Sequence, residues 1–210
     1  MRAKKHKAQR MEACGELLVR EPGALKGRWS ADGAREVWLE LGCGKGKFIC
    51  GMAERYRDVC FVAIERYGEV LVIALEKAKS RGYTNIRFID GDIKDAQEWF
   101  IPGELSRIYL NFSDPWPKHR HWHRRLTHPN HLAIYKELLA SGGELHFKTD
   151  NRELFDYSEK KLSACGFDIK TLTYDLHADR KLVGDNIITE YERIFMDEGK
   201  AIHMLTAKLR

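Results

Sequence analysis

From residue 37 onward the chain alternates short apolar runs with amphipathic stretches, and this alternation restricts it to one broad solution, βαβ units joined into a mostly parallel sheet. The class is α/β. VWLEL (37–41), CFVAIE (60–65), IRFID (86–90), IYLNF (108–112) and ELHFKT (144–149) read as five strands. Helical spacing of apolar residues marks 47–56, 68–82, a short stretch near Trp99, 131–139 and 153–166, with Ser141-Gly142-Gly143 as the turn before the fifth strand. The last third changes character. FDIKTLTYDL (167–176) and AIHMLTAK (201–208) read as strands on either side of TEYERIFMDEG, where Thr189 and Glu192 have capping-box spacing and Gly199 closes the helix.

With 210 residues and 43% hydrophobic content, the chain is long enough for one well-buried core plus an appended segment. No apolar run approaches the roughly 18 to 20 residues that span a bilayer, and MRAKKHKAQR has no hydrophobic stretch to act as a signal, so the expected location is cytoplasmic and no membrane is expected as a partner. The five cysteines include no C-x-x-C pair, and a disulfide framework is not expected.

Charge is local rather than spread. The first ten residues hold Arg2, Lys4, Lys5, Lys7 and Arg10 with no acid, and a second acid-free stretch from Pro115 to Lys136 holds Lys118, Arg120, Arg124 and Arg125 with five histidines. Two such clusters suit a polyanion, although a solvated face and a loose tail would give the same composition.

LELGCGKGKF places Gly42, Gly44 and Gly46 directly after a strand and before a helix, where backbone must turn sharply and approach a ligand without Cβ interference. The dinucleotide fingerprint spaces its glycines G-x-G-x-x-G, so the third glycine here comes one residue early, and Glu40 sits in the strand end. A carboxylate there repels pyrophosphate but offsets the positive charge of S-adenosylmethionine. Glu65, ending the second strand, can accept hydrogen bonds from ribose hydroxyls, and Asp92, after the third, from an adenine amine.

NFSDPWPKHRHWHRRLTH delivers Asp114 and Trp116 to the carboxyl edge of the sheet, where doubly wound folds bind ligands. Pro115 and Pro117 restrict the backbone on either side of Trp116. Trp116 can stack on a base, Asp114 can accept from a base edge, and Lys118, Arg120, Arg124 and Arg125 can hold phosphates. His119, His121, His123 and His128 invite a zinc reading, but the interleaved arginines repel a cation and no carboxylate lies in the run, so no metal is expected.

At these residues the chain resembles the bacterial tRNA (guanine-N7)-methyltransferase family: LELGCGKGKF, the IE of CFVAIE, NFSDPWPK, HRRLTHP, HFKTDN and TEYERIF fall in family order along the chain. The resemblance implies a Rossmann-like class I methyltransferase fold with a mostly parallel seven-stranded sheet flanked by helices. It implies a basic arm over residues 1–35 followed by the methyltransferase domain over 36–210. S-adenosylmethionine is the implied methyl donor and a variable-loop guanine of tRNA the implied acceptor, in a monomer or homodimer. Carried over by position, Glu40, Glu65, Asp92 and Asp114 contact the donor or the reaction centre, with Asp114 as the catalytic residue. Lys118, Asp150, Thr189 and Glu192 contact the target nucleotide, and residues 120–125 contact RNA. Three rivals are an RNA exocyclic-amine methyltransferase, which shares an Asp-Pro-aromatic motif at this strand end, a non-catalytic RNA-binding protein with the same fold, and a nicotinamide-dependent oxidoreductase, which the glycine spacing disfavours.

Overall fold

The computed structural model describes residues 2–30 and 33–210, with residues 2–5 as backbone alone, so the side chains of Arg2, Lys4 and Lys5 lie outside the described residues. The strands form a seven-stranded sheet in the order β3-β2-β1-β4-β5-β7-β6, and the chain divides into two compact units, Met1–Ile101 and Pro102–Arg210.

In the first unit β1 (Glu36–Leu41), β2 (Val59–Glu65) and β3 (Ile86–Asp90) run parallel, with Trp38 opposite Phe61 and Glu40 opposite Ala63. Every residue of β2 is buried, as a strand paired on both edges and covered on both faces must be. α1 (Arg2–Glu12) precedes the strands, and α2 (Lys47–Arg55), α3 (Gly68–Ser80) and the one-turn α4 (Ala96–Trp99) connect or follow them. The early residues are part of this unit: Arg10 makes a bidentate pair with Glu76 of α3 at 2.6 Å, and Leu18 forms a parallel bridge with Phe88 on the outer edge of β3. Trp29 stacks on Phe100 at 5.2 Å and donates its indole N–H to the Trp99 carbonyl.

In the second unit β4 (Leu105–Asn111) and β5 (Leu139–Thr149) are parallel, while β7 (His203–Leu209) runs antiparallel to both β5 and β6 (Phe167–Thr173). Its helices are α5 (Pro129–Leu138), α6 (Arg152–Ala164), α7 (Arg180–Val183) and α8 (Glu190–Asp197). β5 starts five residues earlier than the sequence suggests. The register jumps from Leu105 opposite Leu139 to Arg107 opposite Glu144, so Ser141-Gly142-Gly143 lies in a bulge within the strand rather than in a turn before it. A Cβ on Gly143 would come within 2.9 Å of the Ala140 carbonyl oxygen, which is why glycine stands there. Among the described residues no helix is long and apolar enough to cross a membrane.

Candidate active site

β1 ends at Leu41 and α2 begins at Lys47. The turn between them is pinned to β2, because the amides of Gly42 and Cys43 both donate to the Ile64 carbonyl, at 2.8 and 3.3 Å. Gly42, Gly44 and Gly46 all have positive φ, 73°, 54° and 76°, which L side chains rarely adopt. Their surroundings differ. A Cβ on Gly46 would sit 2.8 Å from the Cβ of Ala74 on α3, so this glycine allows close packing. A Cβ on Gly42 or Gly44 would meet nothing within 4 Å, leaving open space beside the backbone.

The carboxylate of Glu65 is locked against this turn. Its Oε2 accepts from the Gly44 amide at 3.1 Å and its Oε1 from the Tyr67 amide at 3.0 Å, so both oxygens are oriented while each keeps acceptor capacity. Glu40 is only 2% exposed at the end of β1. Burial pushes the Cys43 thiol well above its usual range, and the charges of Glu40 and Glu65 push it further. The turn is therefore a buried region of negative field, which fits a cationic ligand bearing hydroxyls and opposes a pyrophosphate. Asp92 follows β3 and caps the short turn Ile93–Asp95, accepting from the Lys94 amide at 3.1 Å.

In the second unit the polypeptide leaves β4 through two non-glycine residues in the left-handed region, Phe112 at φ 52° and Trp116 at φ 42°. Asp114 is exposed between them. Trp116 is half-buried, with the Arg124 guanidinium 4.9 Å above its ring and His121 edge-on at 5.9 Å. Lys118, Arg120 and Arg124 are exposed on and beside the 3-10 turn His119–Arg124. The His121 imidazole is pulled below its ordinary value, first by burial and then by Arg120, Arg124 and Lys118.

Arg125 departs from expectation. The sequence places it among the phosphate-holding cations, but it is 1% exposed and its guanidinium donates to the Pro115 and Trp116 carbonyls and the Glu153 carboxylate. Arg124 is the last residue of the 3-10 turn and is exposed, whereas Arg125 follows it in extended backbone and is buried.

Thr189 and Glu192 likewise turn inward. They form a complete capping box at the start of α8, and Glu192, 0% exposed, also pairs with Lys148 at 2.8 Å, His177 at 3.0 Å and Asn186 at 2.6 Å. Burial is the largest influence on Glu192 and raises it, yet Lys148, Asn186 and the Thr189 amide together hold it below its ordinary value. The cap and the buried ion pair fix both side chains at the start of α8. Asp150 follows β5 and faces Lys200 at 3.6 Å, and Asn151 caps α6. Among the described residues no three histidine, cysteine or carboxylate side chains gather into a metal-binding group.

Residues 34–205 match a family model described as a putative methyltransferase. A tRNA (guanine-N(7)-)-methyltransferase of Lactococcus lactis subsp. cremoris is 40% identical over 210 residues, covering 99% of this chain and 97% of its own length. One from Exiguobacterium sibiricum is 42% identical, covering 94% and 92%. The chain belongs to the tRNA (guanine-N7)-methyltransferase family. Solved structures show the wider fold: the 16S rRNA methyltransferase KamB superposes with a TM-score of 0.64 at 13% identity over 85% of this chain and 89% of its own. A geranyl diphosphate C-methyltransferase from Streptomyces coelicolor, solved with S-adenosyl-L-homocysteine, gives 0.57 at 13% identity over 85% and 71%.

For this member of the tRNA (guanine-N7)-methyltransferase family, sequence reasoning missed the residues that brace the site segments. Lys148 carried a usable signal, a lysine inside the apolar run LHFKT, since a charge in a buried strand requires a partner. Glu153 and Tyr157, which hold Arg125 from α6, carried none, because nothing local marks a surface-type helix face as the support of a distant turn.

Proposed function

We propose that this chain transfers a methyl group from S-adenosylmethionine to N7 of a guanine in the variable loop of tRNA, working in the cytoplasm. The observation that carries the donor assignment is the glycine turn bounded by the buried carboxylates of Glu40 and Glu65, with open space beside Gly42 and Gly44. When bound, S-adenosylmethionine supplies a methyl carbon made electrophilic by its positive sulfur. Glu40 offsets that positive charge, Glu65 accepts from the ribose hydroxyls, and Asp92 reaches the adenine amine.

Guanine N7 carries an in-plane lone pair that is unprotonated at neutral pH, so no residue need act as a general base. What the chain must supply is alignment. The purine becomes cationic as N7 gains its fourth bond, and the Asp114 carboxylate stabilises that charge. Lys118, Arg120 and Arg124 hold phosphates of the tRNA, and Asp150, at the end of β5, takes part in fixing the target nucleotide.

Asp114→Ala is the direct test. It is expected to lose most turnover while keeping its melting temperature and much of its affinity for S-adenosylhomocysteine; near-normal turnover removes Asp114 from the mechanism. Incubation with labelled donor and bulk tRNA, followed by identification of the labelled nucleoside, tests the acceptor atom. Label on an exocyclic amine would replace this reading with its closest rival.

A further inference from the structure

We propose that Arg125 is a positioning residue that holds the 114–116 turn in its strained backbone and thereby fixes the Asp114 carboxylate. The inference rests on the reading of that turn as the substrate segment and adds a residue that does not touch substrate.

The turn needs an external support. Trp116 sits at φ 42° and is followed by Pro117, whose ring restricts it further, and a side chain held in such a region persists only where its surroundings over-determine it. Arg125 supplies the part of that support that reaches the backbone on both sides of the strained residue. Arg125 Nε donates to the Pro115 carbonyl at 2.8 Å and Nη2 to the Trp116 carbonyl at 3.3 Å, so the carbonyls on both sides of the Trp116 amide and Cα are held by one rigid fork. The fork itself cannot rotate. Nη2 also donates to Glu153 at 2.8 Å, and the guanidinium lies 4.6 Å from the ring centres of both Trp122 and Tyr157.

The backbone of Arg125 is anchored as well. Its amide donates to the Trp122 carbonyl at 2.9 Å, and its carbonyl accepts from the His128 amide and pairs with His131 Nδ1, both at 2.9 Å. Restraint thus runs from the starts of α5 and α6 through one guanidinium into the two residues that follow Asp114. Lysine cannot replace it, because an ammonium lacks the planar fork that serves two carbonyls and a carboxylate while lying flat against rings.

Arg125→Lys and Arg125→Gln should be compared with Arg124→Gln and Asp114→Ala for kcat, KM, tRNA affinity across a salt series, and melting. A displaced reacting group costs on the order of 100-fold in rate, so both Arg125 variants are expected to lose about that much kcat while tRNA affinity and its salt slope stay as in the wild type. The Trp116 indole resonance should shift in both, and methylguanidine added to Arg125→Ala should restore part of kcat.

Wild-type kcat in Arg125→Lys overturns the proposal. So does a fall in tRNA affinity and salt slope matching that of Arg124→Gln, which would make Arg125 a phosphate ligand. If the glutamine variant melts below the assay temperature, the lysine variant gives the same readouts with charge and stem retained. The two readings fail separately: full turnover in Asp114→Ala defeats the role of the turn, whereas an inactive Asp114→Ala beside a fully active Arg125→Lys defeats only the role of Arg125.

Discussion

Gly42 and Gly46 share a backbone sign but not an environment, and alanine at each should have different effects. Gly46→Ala drives a methyl to 2.8 Å from the Cβ of Ala74, an overpacking change that should cost about 1–3 kcal/mol in urea denaturation. Gly42→Ala meets no neighbour and carries only the strain of its positive φ, about 1–2 kcal/mol, so it should be destabilised less than Gly46→Ala, which adds overpacking to the same strain. Its methyl enters the open space, however, and S-adenosylhomocysteine titration should show a clear loss of affinity. Wild-type affinity in Gly42→Ala would show that the turn is purely structural. The glycines and Glu65 were legible because the turn is contiguous and its acid ends the adjoining strand. Arg125 and Glu192 were not: whether a charge faces solvent or the interior depends on partners such as Glu153 and Lys148, which lie 28 and 44 positions away in the chain.

The helices and strands themselves follow from local patterns, and their failures are equally local. Gly142-Gly143 reads as a turn because glycine pairs usually make turns, yet here the strand starts earlier and bulges to keep pairing with β4. The cap of α8 was legible in full. Thr189→Ala should lower stability by about 1 kcal/mol, since one helix-end amide loses its acceptor. Lys148→Met should cost more, roughly 3–5 kcal/mol, because it leaves Glu192 buried without its countercharge. Adding Glu192→Leu to that variant should recover much of the loss; if it does not, the pair does more than neutralise itself. On β5, the hydrogen bond from His146 and then the charge of Arg107 bring Glu144 from its ordinary 4.5 to about 2. A lowered carboxyl contributes stability above the unfolded value and loses it as pH falls toward the folded one. Glu144→Gln should therefore flatten the decline in stability between about pH 4.5 and 2, read from denaturation at each pH.

At the scale of the whole molecule the sequence showed where positive charge is concentrated but not how it is used. Lys118, Arg120 and Arg124 stand exposed, and if each meets a phosphate, neutralising it should reduce the salt slope of tRNA binding by roughly one counterion. An unchanged slope would place the polyanion elsewhere. The first cluster is partly matched by acids that no composition could reveal: Lys7 faces Glu69 and Arg10 grips Glu76. Met11, Cys14, Leu17 and Leu18 are buried, so apolar packing takes over only after the first ten residues. Exposed ion pairs contribute about 0–1 kcal/mol each and weaken in salt. Brief trypsin treatment in concentrated sodium chloride should therefore clip the polypeptide beside Lys7 and Arg10, trimming the leading helix while everything beyond Met11 survives digestion intact.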